Sequence, residues 1–370
     1  MDLLYQVQKM GNSFCIQLCL ILFFAIVIPS HCSDHRLPEG KVSLFVFGDS
    51  LLDPGNNNYI NTTTDFQANF SPYGETFFKY PTGRFSDGRL IQDFIAEFAK
   101  LPIIPSYFRA SKHELAYGVN FASGGAGALV ETHEGKVVDM KTQLRYFDKV
   151  VKQLSSMLGV TEVKQLLSNA VYLISLGGND VLSPNPIFSS LPLEEYIDIV
   201  IGNFTEAVKE LHEKGARKFG FINLGPLGCL PYVRAHKEVV DGGCDEKITA
   251  LVKSYNPALV KKLEQLENEL KGFKYSKLDF YNAAGDMIDK PSKYGFKEVK
   301  SACCGSGLYR GVYSCGGKRG IEKYEVCDNV EEYLFFDSYH PNERGHLVLA
   351  KQFWDGPPSI RGPFSLRSFF

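Results

Sequence analysis

The sequence predicts a three-layer α/β/α sandwich built on a mainly parallel five-stranded sheet. Five short apolar segments alternate with amphipathic helical stretches, the arrangement that gives a parallel sheet with helices on both faces. Three of these segments are almost continuously apolar, as strands buried on both faces are. No internal repeat or low-complexity linker divides the chain. We therefore expect one domain over residues 34–370.

The five predicted strands are short apolar runs bounded by glycine or polar residues. They cover residues 43–47, 117–121, 171–176, 218–224 and 275–280. Between them, apolar residues recur three and four positions apart, the spacing of a helix that buries one face. This spacing predicts helices over residues 89–100, 144–158, 194–214 and 248–270, with a last helix after Pro341. Gly215 directly follows the third of these helices, and glycine often ends a helix.

The composition is that of an ordinary globular protein. Of 370 residues, 44% are hydrophobic and 22% are charged, which is enough apolar material for a large core. Lys and Arg number 40 and Asp and Glu number 42, so the formal net charge is −2. Proteins that bind nucleic acid usually carry a basic stripe. The composition therefore does not support a nucleic-acid partner.

The first 33 residues have the pattern of a signal peptide. Lys9 precedes an uncharged run over residues 14–29, and the most apolar part, 18–28, has the length of a signal-peptide hydrophobic region. A membrane-spanning helix needs about 20 apolar residues, so an uncleaved anchor is the less favoured alternative. Small residues at 30–33 suit cleavage there. We expect a secreted mature protein that has no stable membrane span.

The cysteines divide into two groups. Three lie in the predicted leader: Cys15, Cys19 and Cys32. The remaining six are an even set, which in an exported chain predicts up to three disulfides among 15 possible connectivities: Cys229, Cys244, Cys303, Cys304, Cys315 and Cys327. Cys229 and Cys244 flank a predicted loop and form a plausible local pair. Zinc binding is the alternative, but these spacings lack the C-x₂-C pattern of zinc ligands.

Three Asn-x-Ser/Thr triplets are candidate N-glycosylation sites, at Asn61, Asn69 and Asn203. Such triplets also occur by chance, so each is weak when taken alone. Together with the leader and the even cysteine count, they favour an extracellular protein.

Four motifs of polar and glycine residues each follow directly after an apolar run. GDSL at 48–51 follows the first predicted strand, ASGGAG at 122–127 the second and GGND at 177–180 the third. DSYHP at 337–341 follows a further apolar run and precedes the last helix. Functional groups of α/β sheets gather beyond the carboxyl ends of the strands. The four motifs are therefore expected to meet at one edge of one sheet.

The residue types in these motifs suit acyl transfer. The Ser50 hydroxyl needs a base to become a nucleophile, and His340 suits that task. Asp337 is placed to accept the imidazole N–H and so fix its tautomer. The oxyanion needs preset donors, for which the Ser50 backbone, the glycine pair at 124–125 and the Asn179 amide are candidates. Singly, each residue also fits a helix cap or a turn; their joint occurrence favours a serine hydrolase.

The motifs FGDSLLDPGNNN, GVNFASGGAG, LGGND and DSYHPNERGH resemble the conserved blocks of plant GDSL esterase/lipases, a branch of the SGNH hydrolases. The similarity runs from about residue 41 to residue 354 and looks closest to secreted lipases of the plant-defence type. The resemblance implies that Ser50 is the nucleophile, with Asp337 and His340 completing the triad. It also implies that Ser50, Gly125 and Asn179 form the oxyanion hole, and that the protein reaches the apoplast or cell wall.

These observations predict an esterase or lipase that acts on a small-molecule or lipid ester through an acyl-serine intermediate. Two alternatives stay open: an acyltransferase that passes the acyl group to an alcohol, and a non-catalytic binding protein on the same scaffold. The triad chemistry requires no metal or organic cofactor. Loops at 56–78, 183–191 and 303–327 are expected to set substrate choice. Their aromatic residues are candidates for lining an acyl groove, although ordinary packing is the plainer interpretation: Phe66, Phe70, Tyr73, Phe77, Phe78 and Phe188.

Overall fold

The computed structural model describes residues 42–184, 186–188, 190–237, 239 and 242–370. The predicted leader, residues 1–33, lies outside the described residues together with Cys15, Cys19 and Cys32. The leader and a domain that begins at residue 34 therefore stay predictions.

The central sheet has five strands in the order β1-β2-β3-β4-β9. These strands are β1 (Leu44–Gly48), β2 (Val171–Ser175), β3 (Lys218–Ile222), β4 (Lys274–Leu278) and β9 (Arg361–Pro363). The first three pairings are parallel, and β9 pairs antiparallel to β4. The prediction of a mainly parallel five-stranded sheet in an α/β/α sandwich is confirmed.

Alternate strand residues face two different apolar layers. In β1, Phe45 and Phe47 belong to one layer, and Leu44 and Val46 belong to the other. Every residue of β1 and β2 is buried. Burial on both faces is the physical reason why these strands have continuous apolar sequences rather than alternating ones.

The helices of the described chain cover the two faces of the sheet. They are α1 (Ile91–Phe98), α2 (Met140–Leu158), α3 (Val160–Asn169), α4 (Gly178–Leu182), α5 (Leu193–Glu213), α6 (Pro231–His236), α7 (Glu246–Glu269), α8 (Phe280–Asp289) and α9 (Glu343–Asp355). Buried residues of α2, α3, α5 and α7 join the layer of Phe45, and those of α1, α8 and α9 join the layer of Leu44. Within the described ranges, none of these helices is long and apolar enough to cross a bilayer.

Side-chain caps and one glycine set several helix ends. The Asp139 carboxylate accepts the N–H of Thr142 at 2.9 Å at the start of α2, and the Asp245 carboxylate accepts the N–H of Ile248 at 2.7 Å at the start of α7. Gly215 has a φ of +117° shortly after α5 ends. Its predicted role in ending that helix is therefore consistent with a conformation that favours glycine.

The prediction of a strand at 117–121 is wrong, because these residues do not form a regular strand. Its backbone runs beside β1, and the N–H of Leu44 donates to the carbonyl of Tyr117 at 2.9 Å. However, Gly118 has a φ of +123°, and a Cβ there would lie 1.8 Å from the Leu44 carbonyl oxygen. This close approach interrupts the strand geometry and leaves only isolated bridges at Asn120. The fifth strand of the sheet is instead β9, near the carboxyl end.

Two small sheets lie outside the central one. β5 (Glu298–Ala302) pairs parallel to β8 (Tyr333–Phe335), and β6 (Cys304–Gly305) pairs antiparallel to β7 (Glu325–Val326). Three disulfides join Cys229 to Cys244, Cys303 to Cys327 and Cys304 to Cys315. The suggested Cys229–Cys244 pair is thus present, and the other two pairs close the 303–327 segment.

Candidate active site

Ser50 lies in the turn that follows β1. Gln143 of α2 holds this turn through two bonds at 2.9 Å, accepting the N–H of Gly48 and donating to the Gly48 carbonyl. Gly48 has a φ of +140°, and a Cβ there would lie 2.2 Å from the carbonyl oxygen of Ser175 on β2. Only glycine fits so close to the neighbouring strand. The turn therefore fixes the Ser50 side chain at the carboxyl end of the sheet.

The structure brings Ser50, Asp337 and His340 into one hydrogen-bonded line. The Nε2 atom of His340 lies 2.8 Å from the Ser50 Oγ, and its Nδ1 atom lies 2.8 Å from the Asp337 Oδ1. Because an ionised carboxylate only accepts hydrogen bonds, Nδ1 carries the proton and Nε2 is left to accept the Ser50 hydroxyl. The Phe85 ring packs against the imidazole, with 4.9 Å between ring centroids. This is the geometry of a nucleophile with its base and the orienting acid.

Asp337 is fully buried and yet remains ionised. Burial by itself would raise the pKa of its carboxyl, but His340 and the Tyr73 hydroxyl together lower that pKa to about 2. The Oδ1 atom also accepts the backbone N–H groups of Tyr339 and His340, each at 2.9 Å. Several donors therefore fix both the charge and the orientation of the carboxylate.

Asp337 and His340 do not follow a strand of the central sheet. They follow β8, which pairs with β5 in a separate two-stranded sheet. The expectation that all four motifs meet at one edge of one sheet is therefore wrong. The motifs after β1 and β2 do lie at that edge, whereas the 337–341 motif reaches the site from the neighbouring small sheet.

The three predicted oxyanion donors line the same cavity as His340: Ser50, Gly125 and Asn179. The Gly124 N–H is already bonded to the Asp53 Oδ2 at 2.8 Å, whereas no acceptor among the described residues bonds the Gly125 N–H. Of the two adjacent glycines, only Gly125 thus offers a free donor. The Asn179 amide donates one N–H to the Ala126 carbonyl at 2.9 Å, and its second N–H has no acceptor among the described residues.

The DPGNNN run after Ser50 holds these loops together, a role that sequence reasoning missed. The Asp53 carboxylate accepts the N–H groups of Gly55 and Asn56 at 2.7 and 2.6 Å, in addition to that of Gly124. The Asn57 amide donates to the Gly124 carbonyl at 2.8 Å. Burial raises the pKa of Asp53 to about 6 even with these donors. The signal in the sequence was an unusual cluster of short polar residues beside the serine.

A second carboxyl, Asp49, lies beside the nucleophile. Burial raises the pKa of Asp49 to about 7, and the nearby Asp180 carboxylate adds to the rise. Because the folded state binds this proton more tightly than the unfolded chain, the contribution of Asp49 to stability declines as pH rises from about 4 to about 7. Asp180 holds the loop that follows Gly125, accepting the N–H of Ala128 at 2.9 Å and the Thr132 hydroxyl at 2.6 Å.

The cavity at Ser50 has a volume of about 260 Å³. One part of its wall is aliphatic. Its residues come from the segment after β3 and from α8, β8 and α9: Leu224, Leu227, Ala284, Met287, Leu334 and Leu349. Of the aromatic residues suggested for an acyl groove, only Phe66 lines this cavity. Tyr73 is not among the lining residues, and its hydroxyl bonds Asp337. The described residues contain no group of three or more His, Cys, Asp or Glu placed to hold a metal.

Comparison with known proteins gives a consistent family. A family model described as GDSL-like Lipase/Acylhydrolase matches residues 44–353. A GDSL lipase of Tanacetum cinerariifolium is 47% identical over 353 residues, which cover 95% of this chain and 93% of the relative. GDSL esterase/lipase 2 of Arabidopsis thaliana is 46% identical, covering 95% and 97%. A solved structure of a putative GDSL-like lipase from Parabacteroides merdae is 12% identical, covers 85% and 95%, and has a TM-score of 0.37.

Proposed function

Because this chain belongs to the GDSL-like lipase/acylhydrolase family and is a carboxylic ester hydrolase, we propose that it cleaves acyl or lipid esters through an acyl-serine intermediate on Ser50. In this proposal His340 is the general base and acid, and Asp337 orients it. The backbone N–H groups of Ser50 and Gly125 and the Asn179 amide hold the oxyanion. The prediction that the chain belongs to the GDSL esterase/lipase family is confirmed.

One observation carries the proposal: the Ser50 hydroxyl lies 2.8 Å from the His340 Nε2, at the wall of a cavity that also contains the free Gly125 N–H. Histidine removes the hydroxyl proton as the Ser50 oxygen attacks the ester carbonyl carbon. The carbonyl electrons move to its oxygen, which the preset donors stabilise.

The intermediate then breaks down in two stages. When the carbon–oxygen bond to the alcohol breaks, His340 returns its proton to the departing alkoxide, and the acyl group stays on Ser50. A water molecule then attacks the acyl carbon while His340 takes one of its protons. The Ser50 oxygen leaves as the hydroxyl after His340 returns that proton. The products are a carboxylic acid and an alcohol, and the enzyme regains its starting state.

A fluorophosphonate tests this assignment directly. It should phosphonylate Ser50, and peptide mass spectrometry should find the adduct on that residue alone. Hydrolysis of p-nitrophenyl acetate should fall in proportion to the labelled fraction, because each adduct removes one nucleophile. An adduct on another residue, or hydrolysis that survives complete labelling, would contradict the proposal.

The aliphatic part of the cavity is suited to the acyl chain of the substrate. Ala284, Met287 and Leu349 are each at most 5% exposed, so this part of the wall is apolar and bulk water barely reaches it. Burying one methylene stabilises a complex by about 0.8 kcal/mol, or about fourfold in kcat/KM. Esters with longer acyl chains should therefore be hydrolysed more efficiently until the cavity is full.

Filling this cavity should shorten the preferred acyl chain. Ala284→Leu adds three carbons to the wall and should lower kcat/KM for p-nitrophenyl octanoate by about 10- to 60-fold, while kcat/KM for the acetate changes by less than about threefold. The matched control is Gly285→Leu on the same helix, because a Cβ at Gly285 meets nothing within 4 Å. Equal acetate-to-octanoate ratios in the two variants would place the acyl chain elsewhere.

The same proposal includes export from the cell. Three disulfides support it, since such bonds persist in oxidising compartments. The candidate glycosylation residues are all exposed and thus accessible to modification: Asn61, Asn69 and Asn203. The leader over residues 1–33 remains a prediction from sequence.

A further inference from the structure

A tyrosine and an arginine stand behind the Asp337 carboxylate. The hydroxyl of Tyr73, a fully buried residue, donates to the Asp337 Oδ2 at 2.7 Å. The Nη1 atom of Arg319 lies 3.2 Å from the Tyr73 Oη. A guanidinium has donors and no acceptor, so the Tyr73 oxygen accepts from Arg319 and its own proton points to Asp337. The Ser50–His340–Asp337 line thus continues through Tyr73 to Arg319.

The Arg319 guanidinium bonds three backbone carbonyls in addition to the Tyr73 hydroxyl. Its guanidinium donates to the carbonyls of Thr64, Gln67 and Cys315 at 3.1, 2.7 and 2.9 Å. It also lies over the Tyr313 ring at 3.9 Å from the centroid. No acidic side chain among the described residues forms an ion pair with it. The side-chain acceptor of Arg319 is therefore the Tyr73 hydroxyl and not a surface carboxylate.

The disulfides of the 303–327 segment explain how this arrangement persists. Cys315, whose carbonyl accepts from Arg319, is bonded to Cys304, and the adjacent Cys303 is bonded to Cys327. Both cysteines of the first pair are buried in one apolar cluster with Tyr73. The segment that carries Arg319 is therefore fixed against the segment that carries Tyr73.

We propose that Tyr73 and Arg319 are positioning residues for ester hydrolysis: Tyr73 holds Asp337 in the plane that orients His340, and Arg319 keeps the Tyr73 proton directed at that carboxylate. The inference rests on the proposed function. The Tyr73 hydroxyl fixes Oδ2 while the backbone N–H groups of Tyr339 and His340 fix Oδ1, so both oxygens are held within 3.0 Å of the imidazole Nδ1. The Arg319 charge offsets part of the Asp337 charge that attracts a proton to the imidazole.

Removing either partner should thus affect protonation as well as geometry. Tyr73→Phe removes a hydrogen-bond donor to the Asp337 carboxylate and Arg319→Met removes a nearby positive charge. Either loss leaves more of the Asp337 charge to stabilise the protonated imidazole, so the acid limb of the pH profile should move to higher pH. The other titratable groups near the triad are Asp49 beside Ser50, and Tyr313, Tyr339 and His346 around the Asp337–His340 pair. These groups are not substituted in the variants below, so a shift of the acid limb reports the loss of Tyr73 or Arg319.

The experiment compares Tyr73→Phe and Arg319→Met with a matched pair from the same region. Arg310 Nη1 lies 3.3 Å from the Tyr333 hydroxyl but neither side chain contacts the triad, so Tyr333→Phe and Arg310→Met are the controls. For p-nitrophenyl acetate, the Tyr73 and Arg319 variants should lose about 10- to 100-fold in kcat with KM within about twofold. Their acid limb should rise by about 0.5–1 pH unit. Arg319→Lys should recover part of both effects.

A second readout needs no turnover. The downfield proton resonance of the His340–Asp337 hydrogen bond should shift in Tyr73→Phe and Arg319→Met and should stay in place in the controls. Unchanged resonances, with kcat and acid limbs equal to those of the controls, would overturn the inference while leaving ester hydrolysis at Ser50 intact. If the wild type and Ser50→Ala hydrolysed esters equally, the proposed function would fail instead, and the resonance would still decide the role of Tyr73 and Arg319.

Discussion

Replacing Ser50 with alanine is expected to lower kcat for p-nitrophenyl acetate by about 10⁴-fold or more, while the protein still folds. Under the proposed mechanism the variant removes the oxygen that forms the acyl intermediate, so the remaining donors act on a substrate that water must attack. The Ser50 hydroxyl bonds one side chain, His340, at 2.8 Å. Loss of that bond should change the free energy of unfolding by about 1 kcal/mol.

Ser338→Ala is the matched control for this loss. Ser338 lies in the same motif as Asp337, but its buried hydroxyl has no hydrogen-bond partner among the described residues. Its removal should leave kcat within about threefold of the wild type. Circular dichroism and thermal unfolding would show whether both variants are folded. A difference in kcat between two folded variants then reports the loss of the nucleophile. A Ser50→Ala variant that kept a tenth of the activity would point to a different nucleophile.

The sequence predicts the central sheet well where burial on both faces dictates the residues. β1 and β2 are apolar at every position because each face meets a helical layer. β9 could not be predicted in this way, because Arg361–Pro363 is neither apolar nor alternating and pairs with β4 only through tertiary contact. The 117–121 segment has the composition of a strand, yet the close approach of Gly118 to β1 interrupts it.

The site shows the same division between local and distant information. Asp337 and His340 are three residues apart, and their bond was predictable from that spacing. Tyr73 is separated from Asp337 by 264 positions, so no local pattern links them. The choice of Gly125 as the free donor depends on Asp53, which lies 71 positions before Gly124. Motifs therefore identify groups that react, whereas the groups that orient them require the fold.

Asp337→Asn should have the second large effect, a fall in kcat of about 10³- to 10⁴-fold with little change in KM. In the wild type, both carboxylate oxygens lie within 3.0 Å of the His340 Nδ1 and hold its proton there. An amide nitrogen at the Oδ2 position would donate to Nδ1 instead, leaving the proton on Nε2, which then cannot accept the Ser50 hydroxyl. The variant also lacks the negative charge that stabilises the imidazolium formed during attack. Retention of more than a tenth of kcat would show that His340 needs no orienting acid.

The same substitution should change how stability depends on pH, which separates a charge effect from a simple packing defect. The pKa of Asp337 is lowered to about 2 from its ordinary value near 4, so the ionised form is favoured in the folded state. A lowered carboxyl pKa stabilises the protein above its ordinary value, and this stabilisation is lost as pH falls through the folded pKa. At pH 7, Asp337→Asn should therefore reduce the free energy of unfolding by about 2 kcal/mol, and the difference should shrink between pH 4 and pH 2. Urea unfolding of both proteins across this range measures it, and a difference that stayed constant with pH would indicate lost packing rather than a lost charge.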